Sequence, residues 1–428
     1  MTNTISMKQV KNLLNYTIDN NLKLQENGIM PIAVGLEAVP GIGKTSIVEQ
    51  VARERNMGFT KLCLSQLEES GDLTGFPLKE YECQVMTRKK KDDGSYEVTI
   101  APSTIWLNDK QIDSNTNPNI RYQQTGKTRM GYAKPAWVPE YNENGNILLL
   151  DDWSRANQQL LQSVMEIILT QSYVSWSLPK KSSIFLTSNC DNGDYSVQSL
   201  DEAQKTRLLN YEVEFSIDPW MEWAEKAKLD GRCINFVASY FGELFNKDDQ
   251  GNSICNPRSF VMFANMISGI KDWDNAENLS FIQTIATGCF KDQGNRFAQM
   301  FGTFIRHKMH LLIQPKEMLE GGWDTVKTKL EGLMYDQDGK PRPDISSLLE
   351  RRFANYVNAW LDSNEPHPIA KVKDRILNFM ENEEKGGKKL FTNDLYIHML
   401  QSITSDHKNQ TNHLLYEPKI AKLLTNGC

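Results

Sequence analysis

The stretch Ala38-Val39-Pro40-Gly41-Ile42-Gly43-Lys44-Thr45 constrains this chain more than any other. An apolar, β-branched run from Ile32 to Leu36 leads into it, and an amphipathic helical pattern follows from Ser46 to Arg55. Strand, glycine-rich turn, Lys-Thr and helix are the context of a phosphate-binding loop. Gly41 and Gly43 let the backbone turn tightly and aim N–H groups at phosphate oxygens, at the positive end of the following helix. Lys44 then reaches the β- and γ-phosphates and the Thr45 hydroxyl ligates Mg²⁺. The expected nucleotide-contacting set is Pro40, Gly41, Ile42, Gly43, Lys44, Thr45 and Ser46. Ala38 stands where the pattern asks for its first glycine, which is tolerable if its φ is negative. A second Gly-Lys-Thr, at 126–128, follows Gln123, Gln124 and Thr125 with no apolar strand ahead of it, and is expected to be a solvated loop.

The rest of the chain supplies further parts. Ile147-Leu148-Leu149-Leu150-Asp151-Asp152 is a buried-strand pattern that ends in two carboxylates. Asp151 is placed to hold Mg²⁺ through its water shell, and Asp152 to orient or deprotonate an attacking water. Aspartate at the second position is one methylene shorter than the glutamate that many such sites use. The strand Ile184-Phe185-Leu186-Thr187-Ser188-Asn189 ends in an amide that can donate and accept at once. Arg207 and Arg258 are candidates for stabilising charge on a transferring phosphoryl group, in cis or from a neighbouring subunit.

Strand candidates recur at Ile32–Leu36, Phe59–Leu64, Ile147–Leu150, Ser183–Thr187 and Tyr211–Phe215, with helical patterns between several of them. That alternation predicts an α/β fold with a mainly parallel sheet sandwiched by helices. After Asp218-Pro219 long amphipathic stretches dominate. The expected domains are a nucleotide-binding core over 1–216, a helical region over 217–336 and a C-terminal helical region over 337–428. Residues 79–146 form a long excursion between two core strands, in which Cys83–Thr87 and Tyr96–Ile100 read as a β-hairpin around the basic tip Arg88-Lys89-Lys90-Lys91. Gln111–Thr128 is polar and reads as a mobile loop.

With 428 residues the chain can bury two or three sizeable cores, and its formal net charge of −6 does not advertise nucleic-acid binding. No apolar run is long enough to span a membrane, and the polar start Met1-Thr2-Asn3-Thr4 lacks a signal-peptide core, so a cytoplasmic location is expected. The seven cysteines are scattered without a C-x-x-C pair and read as reduced thiols, and His307 and His310 lack a third metal ligand.

Taken together, these motifs resemble the AAA+ ATPases, specifically the MoxR-like branch. The ordered set is the P-loop, Leu-Leu-Leu-Asp-Asp, Thr-Ser-Asn, Glu-Ala-Gln-Lys-Thr-Arg around Arg207, and Asn-Pro-Arg-Ser around Arg258. Gly71–Gly75, Ala133–Pro139, Asp152–Ala156 and Leu178-Pro179 add to it, and the likeness covers roughly residues 30 to 270. The resemblance implies ATP and Mg²⁺ as cofactors, with Lys44 and Thr45 as Walker A and Asp151 and Asp152 as Walker B. It further implies Asn189 as sensor 1, Arg207 as the arginine finger and Arg258 as the sensor 2 arginine of a helical lid. It also implies a homo-oligomeric ring, usually a hexamer, that hydrolyses ATP to remodel or help assemble a protein partner, commonly one with a von Willebrand factor A domain. The 79–146 excursion takes the place of the family's helix-2 insert, which faces the pore or a partner. A nucleic-acid motor or loader is the second reading, on the strength of Arg88–Lys91 with Lys127, Arg129 and Lys134, and a non-hydrolysing nucleotide-dependent scaffold is the third.

Overall fold

A computed structural model describes residues 4–67, 69, 71–91, 95–189, 206–246, 253–336, 338–362, 369–406, 411, 414 and 416–426. Contacts divide the chain into two units. The first takes in 1–5, 9–39 and 43–214, and the second takes in 6–8, 40–42 and 215–428.

The strands, all in the first unit apart from the last residue of β1, are β1 (Thr4–Ser6), β2 (Val34–Ala38), β3 (Gly58–Cys63), β4 (Phe76–Lys90), β5 (Tyr96–Asn108), β6 (Ile120–Ala133), β7 (Asn146–Asp151), β8 (Ser172–Tyr173), β9 (Trp176–Ser177), β10 (Ser182–Asn189) and β11 (Leu209–Glu214). Six of them make the central sheet, in the order β1-β11-β2-β10-β7-β3. The ladders β11–β2, β2–β10, β10–β7 and β7–β3 are all parallel. Ile147, Leu148, Leu149 and Leu150 are all fully buried, so both faces of β7 are covered. That is why the sequence there is a continuous apolar run with no alternation.

The helices α1 (Met7–Glu26), α2 (Lys44–Glu54) and α3 (Gln158–Thr170) accompany this sheet. Leu160, Leu161 and Val164 of α3 share one apolar cluster with Leu148, Leu150, Ile184 and Leu186. Asn157 caps α3 by accepting from the Leu160 amide at 2.9 Å, which satisfies one of the helix's orphan donors. A polar pin holds α1. Asn21 donates to the Ile32 carbonyl and to Ser183 Oγ and accepts from the Ile32 amide, so a buried amide is fully employed.

The excursion is a second sheet. Strands β5, β4 and β6 pair antiparallel in that order. The expected hairpin is present as β4 and β5. The expectation of a loop over Gln111–Thr128 is corrected: Asp109–Asp113 is a short capped helix and residues from Ile120 onward form the 14-residue β6, taking in Gly126, Lys127 and Thr128. Polar residues on both faces hide the strand period, while cross-strand partners hold it in place. Glu82 accepts from Thr104 Oγ1 on β5 and from Thr125 Oγ1 on β6, and pairs with Lys127 at 3.3 Å. Arg129 pairs with Glu80 at 2.7 Å and lies over the Trp106 ring. At Gly126, φ is +93°, where the pairing shifts between Tyr81 and Cys83, a bulge that glycine makes without strain.

Two flanking motifs close the base of this second sheet. The Trp176 indole donates to the Leu73 carbonyl at 2.7 Å, the Trp137 indole donates to the Asp72 carbonyl, and the two rings meet edge-on at 5.0 Å. Gly75 has φ +99°, and a Cβ there would lie 1.9 Å from the Ala133 oxygen, so only glycine lets the two ends of the excursion approach.

The second unit is built from helices around two apolar clusters. One is aromatic and centres on Phe236, Phe260, Phe263, Phe297 and Phe301. The other is more aliphatic, with Leu330, Leu349, Val357, Ile376 and Leu400, and joins helices before and after residue 337. The long helix Pro343–Leu361 carries the buried Arg352, whose charge is met by Glu225 at 2.5 Å and by the Gly231 carbonyl at 2.9 Å.

Candidate nucleotide-binding site

The strand order sets the site. β10 lies between β2 and β7, so the loop after β2, the amide ending β10 and the carboxylates ending β7 come out side by side at one sheet edge. The registers agree: Asn189 pairs with Ala38, and Leu186 with Leu150.

Ala38 is the last residue of β2, fully buried, and is not among the positive-φ residues. Its backbone therefore makes no demand that only glycine can meet. Gly41 and Gly43 do, with φ of +86° and +98°. Gly43 is the N-cap of α2, and no side chain caps that helix end. The amides of the first helical turn and the helix dipole suit an anion. Loop residues Pro40–Ile42 cluster with the second unit. Within that unit a Cβ on Gly41 would stand 2.8 Å from Arg258 Cβ and 3.0 Å from its amide nitrogen.

Lys44 is buried, and its ammonium donates to the Ala38 and Val39 carbonyls and, at 3.1 Å, to Asn189 Oδ1. The other end of the same amide, Nδ2, donates to Asp152 Oδ1 at 3.2 Å. One planar group thus joins the loop lysine to the second carboxylate. Asp152 has φ +50° and ψ +36°, the left-handed region. Aspartate enters that region more readily than longer side chains do, which gives a backbone reason for aspartate in place of glutamate.

Thr45 Oγ1 donates to Asp151 Oδ1 at 3.1 Å, and Thr187 Oγ1 donates to the same oxygen. The other oxygen, Oδ2, pairs with Lys61 Nζ at 2.8 Å. Burial works against the Asp151 charge, yet the hydrogen bonds from Lys61, Thr187 and Thr45 outweigh it and hold the carboxyl below the usual range. The same hydrogen bond raises the Lys61 ammonium above its ordinary value. A hydroxyl and a carboxylate side by side are hard oxygen donors of the kind Mg²⁺ takes, so the residues fit that ion.

Five of the anticipated side chains therefore meet: Lys44, Thr45, Asp151, Asp152 and Asn189. Arg258 is exposed at the start of the helix Pro257–Ile267, where Asn256 and Ser259 form a capping box. Arg207 is exposed just ahead of β11, and among the described residues no hydrogen bond or ion pair joins it to the five. Leu200–Lys205, which precedes Arg207 in its motif, and Cys190 lie outside the described residues. Sequence reading missed Lys61. Its signal was a charged residue inside the strand pattern Phe59–Leu64, next in the sheet to the strand that ends in Asp151.

No family model matches the chain, and no curated protein matches it. Among solved structures it is similar to a RuvB mutant from Thermotoga maritima, at TM-score 0.36 and 12% identity over 80% of this chain and 87% of that one. The RuvB Holliday junction branch migration motor of the same organism gives a TM-score of 0.29 at 12% identity, covering 98% and 88%. NtrX from Brucella abortus in complex with ADP gives 0.34 at 11% identity, covering 89% and 69%.

Proposed function

We propose that this chain is an ATP-binding and ATP-hydrolysing protein of the AAA+ class, MoxR-like branch. The observation that carries the reading is the line Lys44–Asn189–Asp152 beside the pair Thr45–Asp151, set on the ends of three neighbouring parallel strands. A phosphate-binding loop, a metal-holding carboxylate, a water-orienting carboxylate and an amide between them are the parts that phosphoryl transfer to water requires. In this reading the loop amides from Pro40 to Ser46 and Lys44 hold the phosphates, while Thr45 and Asp151 hold Mg²⁺. Asp152 orients the attacking water and takes its proton, with Asn189 fixing the position of that carboxylate.

The finer parts of the proposal rest on the resemblance in sequence. A homo-hexameric ring in the cytoplasm would place Arg207 against a neighbour's site, and Arg258 would sense the γ-phosphate from the helical lid at 217–336. The work done would be remodelling or assembling a protein partner, one with a von Willebrand factor A domain. The β5-β4-β6 sheet suits the partner-facing role, because Tyr96, Val98 and Ile100 are each about half exposed (50, 56 and 52%) on one face of a strand that, among the described residues, has no neighbour on its outer side. The test is steady-state phosphate release from ATP. The wild type turns over, and Lys44→Ala loses activity by at least about 100-fold with its folding transition retained. A wild type that neither binds nor hydrolyses ATP would overturn the reading.

One observation favours the nucleic-acid reading. Arg88 lies 4.3 Å over the Tyr96 ring next to Lys89 and Lys90, so cation and aromatic share one sheet. DNA stimulation of turnover that fades with salt and disappears in an Arg88, Lys89, Lys90 and Lys91 to Gln variant would decide for it.

A further inference from the structure

We propose that Lys61 is a resident counter-ion that competes with the divalent cation for Asp151, and so sets how strongly nucleotide binding depends on metal. The inference rests on the nucleotide-binding reading above and adds a residue that none of its motifs contains.

Three facts carry it. Lys61 Nζ stands 2.8 Å from Asp151 Oδ2, while the two threonine hydroxyls use Oδ1, so the carboxylate's single charge is already met by an ammonium. β3 is the strand next to β7, with Cys63 opposite Asp151 and Lys61 opposite Leu149. The lysine stem thus reaches along the sheet toward the carboxylate from two residues below. Asp151 is largely shielded while the Lys61 side chain is 44% exposed, so the lysine can swing into water and the aspartate stays.

The chemistry follows from charge. A divalent ion drawn to Asp151, directly or through its water shell, meets a carboxylate whose field the ammonium cancels, and the two cations repel each other across a poorly screened space. Binding of the metal and retention of the Lys61 contact are therefore negatively coupled, and the coupling is reciprocal. Lysine suits this role as arginine would not. It is a compact charge on a flexible stem, without the planar fork that would lock onto both carboxylate oxygens. Thr187 and Thr45 keep the carboxylate oriented when the ammonium leaves.

The test is equilibrium binding of fluorescent N-methylanthraniloyl-ADP across a range of free Mg²⁺, with no turnover involved. Lys61→Met is expected to lower the Mg²⁺ concentration that half-saturates the metal-dependent rise in affinity by about fivefold or more. Lys61→Arg should shift it the other way or leave it as in the wild type. Equal half-saturating Mg²⁺ in wild type and Lys61→Met, with nucleotide still bound, overturns the inference and leaves the nucleotide-binding reading standing. A wild type that binds no nucleotide at any Mg²⁺ concentration overturns both. Should Lys61→Met fail to fold, Lys61→Gln answers the same question, read also as the Mg²⁺-dependent shift in melting temperature in the presence of ADP.

Discussion

The first unit holds two sheets built on opposite terms. In the central sheet β7 and β10 are buried along nearly their whole length, and their polar residues sit toward the strand ends, with Asp151, Thr187 and Asn189 at the end where the candidate site lies. In the β5-β4-β6 sheet, β5 and β6 expose most of their residues, and the sheet is tied by Glu80, Glu82, Arg129 and the threonines around them. The first is held by burial and positions chemistry. The second is held by cross-strand side-chain pairs, each worth a fraction of a kcal/mol, and so can offer its faces without losing a core.

The sharpest break between the two is in activity. Asp152→Asn keeps the size of the side chain and removes the proton acceptor, so turnover should fall by about 100-fold or more while nucleotide binding persists. Removing the whole tip, Lys89–Val98, and joining the strands with a two-residue turn should leave turnover without partner within about threefold, a change worth less than 1 kcal/mol. If the tip deletion abolishes hydrolysis as well, the division of labour fails.

Stability should separate next. Phe185→Ala in the middle of β10 is expected to cost about 3–5 kcal/mol in denaturant unfolding, from lost burial and the cavity left. Val98→Ala, on an open face, should stay within about 0.5 kcal/mol. Comparable losses would mean that the second sheet is covered in solution.

The smallest effect is electrostatic. Asp151 and Glu82 both have carboxyls held below their ordinary values. For Asp151 burial is overcome by Lys61, Thr187 and Thr45, and for Glu82 the hydrogen bond from Thr125 leads, with Lys127 and Thr104 adding to it. A depressed folded-state value gives stability that is present above the unfolded value and lost as pH falls through the folded one. Asp151→Asn should therefore flatten the acid limb of the stability curve as pH falls through and below the ordinary carboxylate range, and its effect should be the less sensitive of the two to salt. Glu82→Gln should flatten it less, and 1 M NaCl should weaken its effect more, because Lys127 is 73% exposed against 44% for Lys61 while the two carboxylates are equally shielded. Equal salt sensitivity at the two sites would show that the Lys61 ammonium is as well screened as that of Lys127.

The same contrast explains what could be read from the amino acids. Ile147–Leu150 and Ile184–Leu186 announced themselves because strands buried on both faces leave an unbroken apolar run. Residues Ile120–Thr128 did not, because a strand with polar side chains on both faces has no hydrophobic period, and the partners that hold it are more than thirty residues away on β4. The loop and the two acidic positions were visible as motifs. The bridging of Lys44 and Asp152 by Asn189 was not, since it depends on which strands become neighbours. Lys61 showed only as a charge inside a strand pattern, and its partner depended on the same choice of neighbouring strands. The reason Ala38 and Asp152 are acceptable, one ending a strand and the other in the left-handed region, is a matter of φ that no residue count carries.

The place of the excursion in the chain also sets an order of assembly. β4 and β5 are consecutive and pair as a hairpin, so this sheet can close as soon as its own residues leave the ribosome. β2 cannot gain either neighbour until β10 and β11 have been made, and β3 waits for β7 through the whole of the excursion. The more exposed of the two sheets is thus ready first. The phosphate-binding loop acquires its partner strands late, so for much of synthesis the apolar residues of β2 and β3 are without the strands that cover them in the folded chain.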